Sequence, residues 1–476
     1  MEIQTLLKAL ILLIGFYMAW NIGANDVSNA MGTSVGSGAL KLRRAVLLAA
    51  VLEFCGAYFV GANVSETIQH GLIDTNLFVA EPILLILGMC GALLGTGIWL
   101  QIASYFGWPV STTHAIVGAI IGFGWAIGGS DAVRWNETVA VISSWIISPV
   151  LSGIISFFLF TILQRKILFA LDPSKATKKL FPFLISVVLG TFTLSLLFNG
   201  LQNLHLNISF PLAILCALVV GLAGGVLTFL LLRRLSIPAL AATPVVRHVT
   251  PQTVISLEKA RKHLQRVHVS SRDETHEKVG KLLDEVKSLT QSVKKETSFG
   301  GTPSEYRYVE KMFIFLQILS ACFVAFAHGA NDVANAIGPV AAVLDIIDKG
   351  VVSTVSFIPG WLLAFGGFGI VFGLATWGWR VIETVGKKIT ELTPTRGFCA
   401  EFGAATTILV ASKLGLPIST THCLVGSVLG VGLARGMRAI NLNMVRDIVL
   451  SWVITIPASA GVSIGAFYLL KFLFVR

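Results

Sequence analysis

Charge is what this sequence has least of. Of its 476 residues only 13% are charged, about half the ~25% of a soluble globular chain. With 54% apolar residues, that scarcity excludes a soluble enzyme and a disordered chain alike. Paired cysteines are absent too. Cys55, Cys90, Cys216, Cys322, Cys399 and Cys423 stand singly in apolar runs, without the spacing of a metal site or a disulfide framework. The opening MEIQTLLKALILLIGFYMAWNIGAND has neither a basic leader nor an A-x-A cleavage site, so it reads as a retained first helix. Acidic residues number 25 against 36 basic ones. In so apolar a chain that surplus reads as a topology signal, not as affinity for nucleic acid. What is abundant is uncharged length: 83–103, 138–163, 183–201, 208–232 and 312–330 each approach the ~20 residues that cross ~30 Å of hydrocarbon. The expected fold is an all-α integral membrane protein.

The chain also repeats itself. GANDVSNA at 23–30 recurs as GANDVANA at 329–336, WPVSTTHAIVG at 108–118 as LPISTTHCLVG at 416–426, and SSWIISP at 143–149 as LSWVITIP at 450–457. Three motifs in one order, at offsets of 306, 308 and 307, define two copies, 6–165 and 310–475. Between them lie apolar linking helices over 180–234 and a hydrophilic loop over 235–308 with 12 Lys+Arg and 8 Asp+Glu. In that loop Val279, Leu282, Leu283, Val286, Leu289 and Val293 recur at helical spacing, as in an amphipathic surface helix.

Five spans per copy and two linkers make about twelve spans, re-entrant or broken helices included. Basic loops alternate with nearly uncharged ones: Lys41/Arg43/Arg44, Arg165 to Lys179, the 235–308 loop, Arg380/Lys387/Lys388/Arg396 and Arg435/Arg438/Arg446 all fall on one side. The positive-inside rule makes that side cytoplasmic and puts both termini outside, with a plasma (bacterial inner) membrane as the default location. Seven spans separate the copy starts, an odd number, so the copies have inverted topology. That is the architecture of secondary transporters, with the substrate site near mid-membrane.

Both GAND motifs place an ionisable residue in an apolar run. An Asp at a helix centre costs about 2.5–3.5 kcal/mol on insertion scales, so Asp26 and Asp332 are expected to face protein or a water-filled cavity. Gly23 and Gly329 are expected to let the helix open there and free carbonyls. With Asn25 and Asn331 these groups form hard oxygen ligands for a small cation such as sodium, or, with Asp alone, a proton relay. The plainer alternative is a polar pair that glues helices together.

The P-x-S-T-T-H motifs read as helix starts. Pro109 and Pro417 end a preceding helix, and Ser111 and Ser419 are N-caps. The unpaired N–H groups of a helix start form an anion site, to which Thr112, Thr113, Thr420 and Thr421 add hydroxyls. Ordinary capping is the alternative. An oxyanion held there is repelled by Asp26 and Asp332 unless a cation or proton neutralises them, which couples the two ligands. Protonated phosphate can also donate to a carboxylate, which favours it mildly over sulfate. Glu53 and Glu401 read as proton or cation sites or as satisfied structural acids. His114 and His422 read as anion or proton ligands or as backbone partners. His328, whose equivalent is Ile22, is given a secondary role.

The duplicated GANDV-x-NA and P-x-S-T-T-H motifs resemble those of the PiT (inorganic phosphate transporter) family, over most of the chain. The stretch WNIGANDVSNAMGTSVGSGALKLRRAVLLAAVLEFCGA looks most like the plastid-type low-affinity members. The resemblance implies phosphate at Ser111, Thr112, Thr113, Ser419, Thr420 and Thr421, a cation at Asn25, Asp26, Asn331 and Asp332, and transport roles for Glu53 and Glu401. The family couples to sodium or to protons, and some relatives carry sulfate. The paired Asn-Asp motifs favour sodium, while the plastid likeness pulls towards protons. The expectation is a secondary active transporter with no cofactor, whose partners are inorganic phosphate, Na+ or H+ and the lipid bilayer, not nucleic acid; a homodimer is left open. A membrane receptor or sensor using the 235–308 loop is the reading from another class. A hydrolase built from Ser111, His114 and Asp26 lacks an activated-nucleophile arrangement, so no enzyme is expected.

Overall fold

A computed structural model describes residues 2–108, 110–170, 172–199, 208–234, 251–297, 304–352, 358–379, 382, 392–436 and 442–475. Pro109, Arg380, Lys387, Lys388 and Arg438, most of the 200–209 loop, and 235–250 and 298–303 of the hydrophilic loop lie outside them. The described residues form helices and no strand. The first copy contributes α1 (Glu2–Gly36), α2 (Leu42–Val60), α3 (Pro82–Tyr105), α4 (Thr112–Gly128) and α5 (Trp135–Leu163). Then come α6 (Pro173–Asn199), α7 (Phe210–Arg234), α8 (Pro251–Ser270) and α9 (Asp273–Thr297). The second copy is α10 (Ser304–Lys349), α11 (Gly360–Thr376), α12 (Pro394–Lys413), α13 (Thr420–Arg435) and α14 (Leu442–Phe474). Among the described residues seven helices are long and apolar enough to cross a membrane, and α4 and α11 are shorter apolar helices.

The chain divides into two compact units, Met1–Thr161 with Phe183–Gly225 and Met312–Arg476, and Ile162–Pro182 with Val226–Lys311. The first holds all but a few residues of both copies. Its polarity runs opposite to that of a soluble protein: Asn25, Asp26, Glu53, His328, Asp332 and Glu401 are buried, while Ile146, Val150, Phe158, Val453 and Phe472 are exposed. Contiguous apolar surface of this kind belongs in lipid. The chain is a multi-pass membrane protein.

The copies are inverted and interleaved. Lys8 near the start of α1 pairs with Asp348 at the end of α10, and Ser37 just past the end of α1 donates to Gln317 Oε1 near the start of α10 at 2.7 Å. The two GAND helices therefore run antiparallel. Each packs on the second helix of the other copy through glycine. A Cβ at Gly23 would lie 1.9 Å from Ile370 O, and one at Gly373 1.9 Å from Trp20 O. A Cβ at Gly329 would lie 2.0 Å from Glu53 O, and one at Gly56 2.0 Å from Phe326 O.

This packing corrects one expectation. Neither GAND motif breaks its helix; α1 and α10 run through them unopened. Glycine is there because two backbones touch, as small residues allow between membrane helices. No carbonyl is freed for a ligand at these points.

The helix starts at 112 and 420 are built as expected, inside the protein. Gly107 and Gly415 sit at positive φ after α3 and α12. They close matched Schellman motifs: Trp108 N bonds Ala103 O at 2.9 Å and Gly107 N bonds Ser104 O at 3.1 Å, while Leu416 N bonds Ala411 O at 3.0 Å and Gly415 N bonds Ser412 O at 3.1 Å. The chain then turns back into α4 and α13, which are re-entrant. Ser111 and Ser419 cap them, each accepting from the N–H of His114 or His422 at 3.2 Å.

Candidate functional site

Four elements converge at the middle of α1 and α10: the two GAND segments and the starts of α4 and α13. Thr112 Oγ1 donates to Asp26 Oδ2 at 2.7 Å and Thr420 Oγ1 to Asp332 Oδ2 at 2.9 Å. Cross-bonds join the copies: Asn29 donates to Thr421 Oγ1 at 2.8 Å, and Asn335 to Thr113 Oγ1 at 3.1 Å. Every one of these groups is buried, where an unpaired polar atom is costly. The hydroxyl cluster and both carboxylates thus form one hydrogen-bonded set with near two-fold symmetry.

Asn25 and Asn331 stand beside the carboxylates. As placed, Asn25 Nδ2 donates to Ser104 Oγ at 2.9 Å and Asn331 Nδ2 to Ser412 Oγ at 3.0 Å, which turns both amide oxygens towards the aspartates. With its amide turned over, Asn25 would accept from Ser104 Oγ at 2.9 Å and donate to Val110 O and to Asp26 Oδ1, both at 3.2 Å. Asn331 turned over in the same way would accept from Ser412 Oγ at 3.0 Å and donate to Ile418 O at 3.2 Å and Asp332 Oδ1 at 3.1 Å. The amide orientation is a choice between these two arrangements.

His328 is central rather than secondary. Its Nε2 lies 2.9 Å from Asp332 Oδ2 and 3.8 Å from Asp26 Oδ2, and its Nδ1 lies 3.4 Å from Glu53 Oε1. Ligand atoms of Asp26, His328 and Asp332 all fall within 4.8 Å of one another, an arrangement that can hold a cation. The glycine contacts show why Glu53 seemed out of register. Gly329 meets Glu53 O as Gly23 meets Ile370 O, so Ile22 and Ile370 stand where the other half has His328 and Glu53. One half of the site carries a His–Glu contact; its counterpart is aliphatic.

Glu401 lies elsewhere on α12, among donors. It accepts from Thr33 Oγ1 at 2.5 Å, Ser34 Oγ at 2.8 Å, Ser320 Oγ at 2.5 Å and Gln317 Nε2 at 3.3 Å. It ties the end of α1 to the start of α10. His114 and His422 contact neither aspartate; their rings pack on Trp145, Trp452 and each other.

Two site residues escaped the sequence reading altogether, Asn29 and Asn335. Their signal was present, because each follows its Asp by three positions in both copies of the motif, on the same helix face.

Residues 22–463 match the phosphate transporter family model. The chain is 46% identical over 461 residues to the chloroplastic inorganic phosphate transporter 2-1 of Arabidopsis thaliana, covering 96% of this chain and 71% of that one. It is 46% identical over 465 residues to a putative phosphate permease of Chlamydia pneumoniae, covering 98% of each. Among solved structures it resembles one described as the sodium-dependent phosphate transporter, with a TM-score of 0.78 and 35% identity over 98% of this chain and 100% of that one. A re-entrant, inverted pair of Ser-Thr-Thr helix starts facing two buried aspartates, in a sequence with these likenesses, belongs to the phosphate transporter family.

Proposed function

We propose that the chain is a cation-coupled symporter of inorganic phosphate, working by alternating access of its two inverted copies. The observation that carries this reading is the pair of bonds from Thr112 to Asp26 and from Thr420 to Asp332. The same hydroxyls and helix starts that suit an oxyanion are bonded to carboxylates that repel one. Phosphate therefore gains access to Ser111, Thr112, Thr113, Ser419, Thr420 and Thr421 when a cation or proton neutralises Asp26 and Asp332. Phosphate and cation favour each other by the same free energy, which is the thermodynamic core of symport.

Sodium is the coupling ion we favour, supported by the sodium-dependent transporter that this chain resembles at 35% identity. The Asp26 and Asp332 carboxylates supply its hard oxygens. One observation favours a proton instead: His328 bridges Asp332 and Glu53, with its second nitrogen 3.4 Å from Glu53 Oε1. The site is proposed to serve a plasma or inner membrane, with both termini outside and the 235–308 loop in the cytoplasm.

Labelled phosphate uptake into proteoliposomes, with sodium and pH gradients imposed separately, tests the reading. Uptake driven by the sodium gradient alone is expected. Uptake driven only by the pH gradient establishes the proton form, and phosphate uptake indifferent to both removes the coupling. Competition by sulfate in the same assay tests the anion, and weak competition is expected.

A further inference from the structure

The turn at Gly415 does not lead straight into α13. Residues 416–419 form a non-helical stretch that ends on the Ser419 cap. Inside a membrane such a stretch needs partners for its carbonyls. Four consecutive carbonyls find them, each on a side chain of a different element. Gly415 O accepts from Thr67 Oγ1 at 2.7 Å and Pro417 O from Trp145 Nε1 at 3.0 Å. Ile418 O accepts from Thr113 Oγ1 at 3.0 Å, and Leu416 O from Asn331 Nδ2, as placed, at 3.4 Å. Trp145, Thr113 and Asn331 belong to α5, α4 and α10. Thr67 belongs to none of the long helices, and no step of the proposed transport uses it.

Thr67 stands where α2 runs out. After Gly61 the chain makes a short helix, Ala62–Glu66, and then a π-helical turn, Thr67–Gly71. Such turns are rare and concentrate at functional places. This segment packs on the site from one side. Val64, Ser65 and Ile68 are wholly buried. A Cβ at Gly61 would lie 2.4 Å from Val333 Cγ1, and one at Gly338 would lie 3.0 Å from Ile68 Cγ2 and 3.1 Å from Ser65 O. The segment thus grips α10 at Val333, next to Asp332, and at Gly338, three residues past Asn335. Its other side meets the turn before α13. A Cβ at Gly415 would lie 3.4 Å from Asn63 O, and the Thr67 hydroxyl holds the Gly415 carbonyl. The segment is a bracket between the aspartate stretch of α10 and the lead-in of α13.

What the bracket sets is the height of a helix start. Thr420 meets Asp332 at 2.9 Å, so the N–H groups and hydroxyls at 419–421 are useful only while α13 begins at that level of α10. Three residues separate Gly415 from Ser419, and each of their carbonyls is held as well. A shift at Gly415 therefore reaches the cap with little slack. We propose that Thr67 is a positioning residue for phosphate. Through Gly415 O it fixes the start of α13 against α10 and never touches the ligand. The hydroxyl does this and not the bulk of the side chain, because the carbonyl needs a donor.

This inference rests on the transport reading, and its test separates the two. Thr67→Val keeps the branched shape and removes the hydroxyl; Thr67→Ser keeps the hydroxyl and removes a methyl. Phosphate uptake by each is measured in proteoliposomes as KM and as maximal rate per folded protein, with folding read by size-exclusion chromatography. One hydrogen bond is worth about five-fold in an equilibrium, so Thr67→Val is expected to raise the KM about five-fold and to leave the maximal rate within about two-fold. Thr67→Ser is expected to keep both values within about two-fold of the unsubstituted protein, which is rescue by the retained hydroxyl. An unchanged KM in Thr67→Val overturns the proposal. Equal effects of the two variants, a fall in maximal rate at constant KM, or loss of folded protein mark a merely structural bond and overturn it too. Absence of phosphate uptake by the unsubstituted protein overturns the transport reading itself.

Discussion

His328 and Glu53 give one half of the site a chemistry that Ile22 and Ile370 deny the other. Their pair is fully buried, so removing one partner leaves an uncompensated polar group. Glu53→Ile or His328→Ile alone is expected to destabilise the detergent-solubilised protein by about 3–5 kcal/mol. The double substitution, which copies the aliphatic half, is expected to cost clearly less than the sum, as read by denaturant unfolding in a double-mutant cycle. The hydroxyl bonds set a second expectation. Thr112→Val or Thr420→Val removes a donor to a carboxylate and, on the proposed reading, a donor to phosphate, worth about 1.5–3 kcal/mol, and should raise the KM for phosphate about ten-fold or more. At this scale the sequence was partly legible. Asp26, Asp332 and the Thr pairs stand together as read, because a duplicated polar motif in an apolar run has few places to go. His328 and Glu53 are not legible from the repeat, because neither has a matching polar residue in the other copy.

Helices α1 and α10 show where sequence reading stops. A glycine before Asn-Asp looks the same whether it breaks a helix or admits a neighbour, and only the partner backbone decides. That partner is Ile370 O for Gly23 and Glu53 O for Gly329, each more than 250 residues or an inverted copy away. Gly23→Val or Gly329→Val must therefore push α1 from α11, or α10 from α2. The expected result is loss of a monodisperse folded peak in size-exclusion chromatography, well beyond the ~1 kcal/mol of a helix-propensity change. The re-entrant starts were more legible. The caps Ser111 and Ser419 are local devices and stand as read, whereas α3 and α12 end at Tyr105 and Lys413, where Gly107 and Gly415 and not the later prolines turn the chain.

Across the whole molecule the two ends of the α1–α10 pair are sealed by different chemistry. At one end Glu401 gathers Thr33, Ser34, Gln317 and Ser320. The corresponding residues at the other end, by the repeat, are Leu93, Pro339, Val340, Ile11 and Ile14, with the Lys8–Asp348 pair outside them. Alternating access requires each seal to open in turn. Cysteines at Lys8 and Asp348, in a chain freed of its six native cysteines, are expected to stop uptake when bridged by a flexible crosslinker and to restore it on cleavage. Inverted topology was legible from charge and from an odd count of spans. The interleaving of the copies was not, since nothing in one copy's sequence names its partner in the other. The central claim remains the coupling of phosphate to Asp26 and Asp332 through shared hydroxyls. Its most direct test is phosphate uptake by Asp26→Asn/Asp332→Asn proteoliposomes under the gradient that drives the unsubstituted protein. Loss of gradient-driven uptake, at least a hundred-fold (~2.7 kcal/mol), is predicted; uptake that survives at the original rate and keeps its gradient dependence contradicts the account.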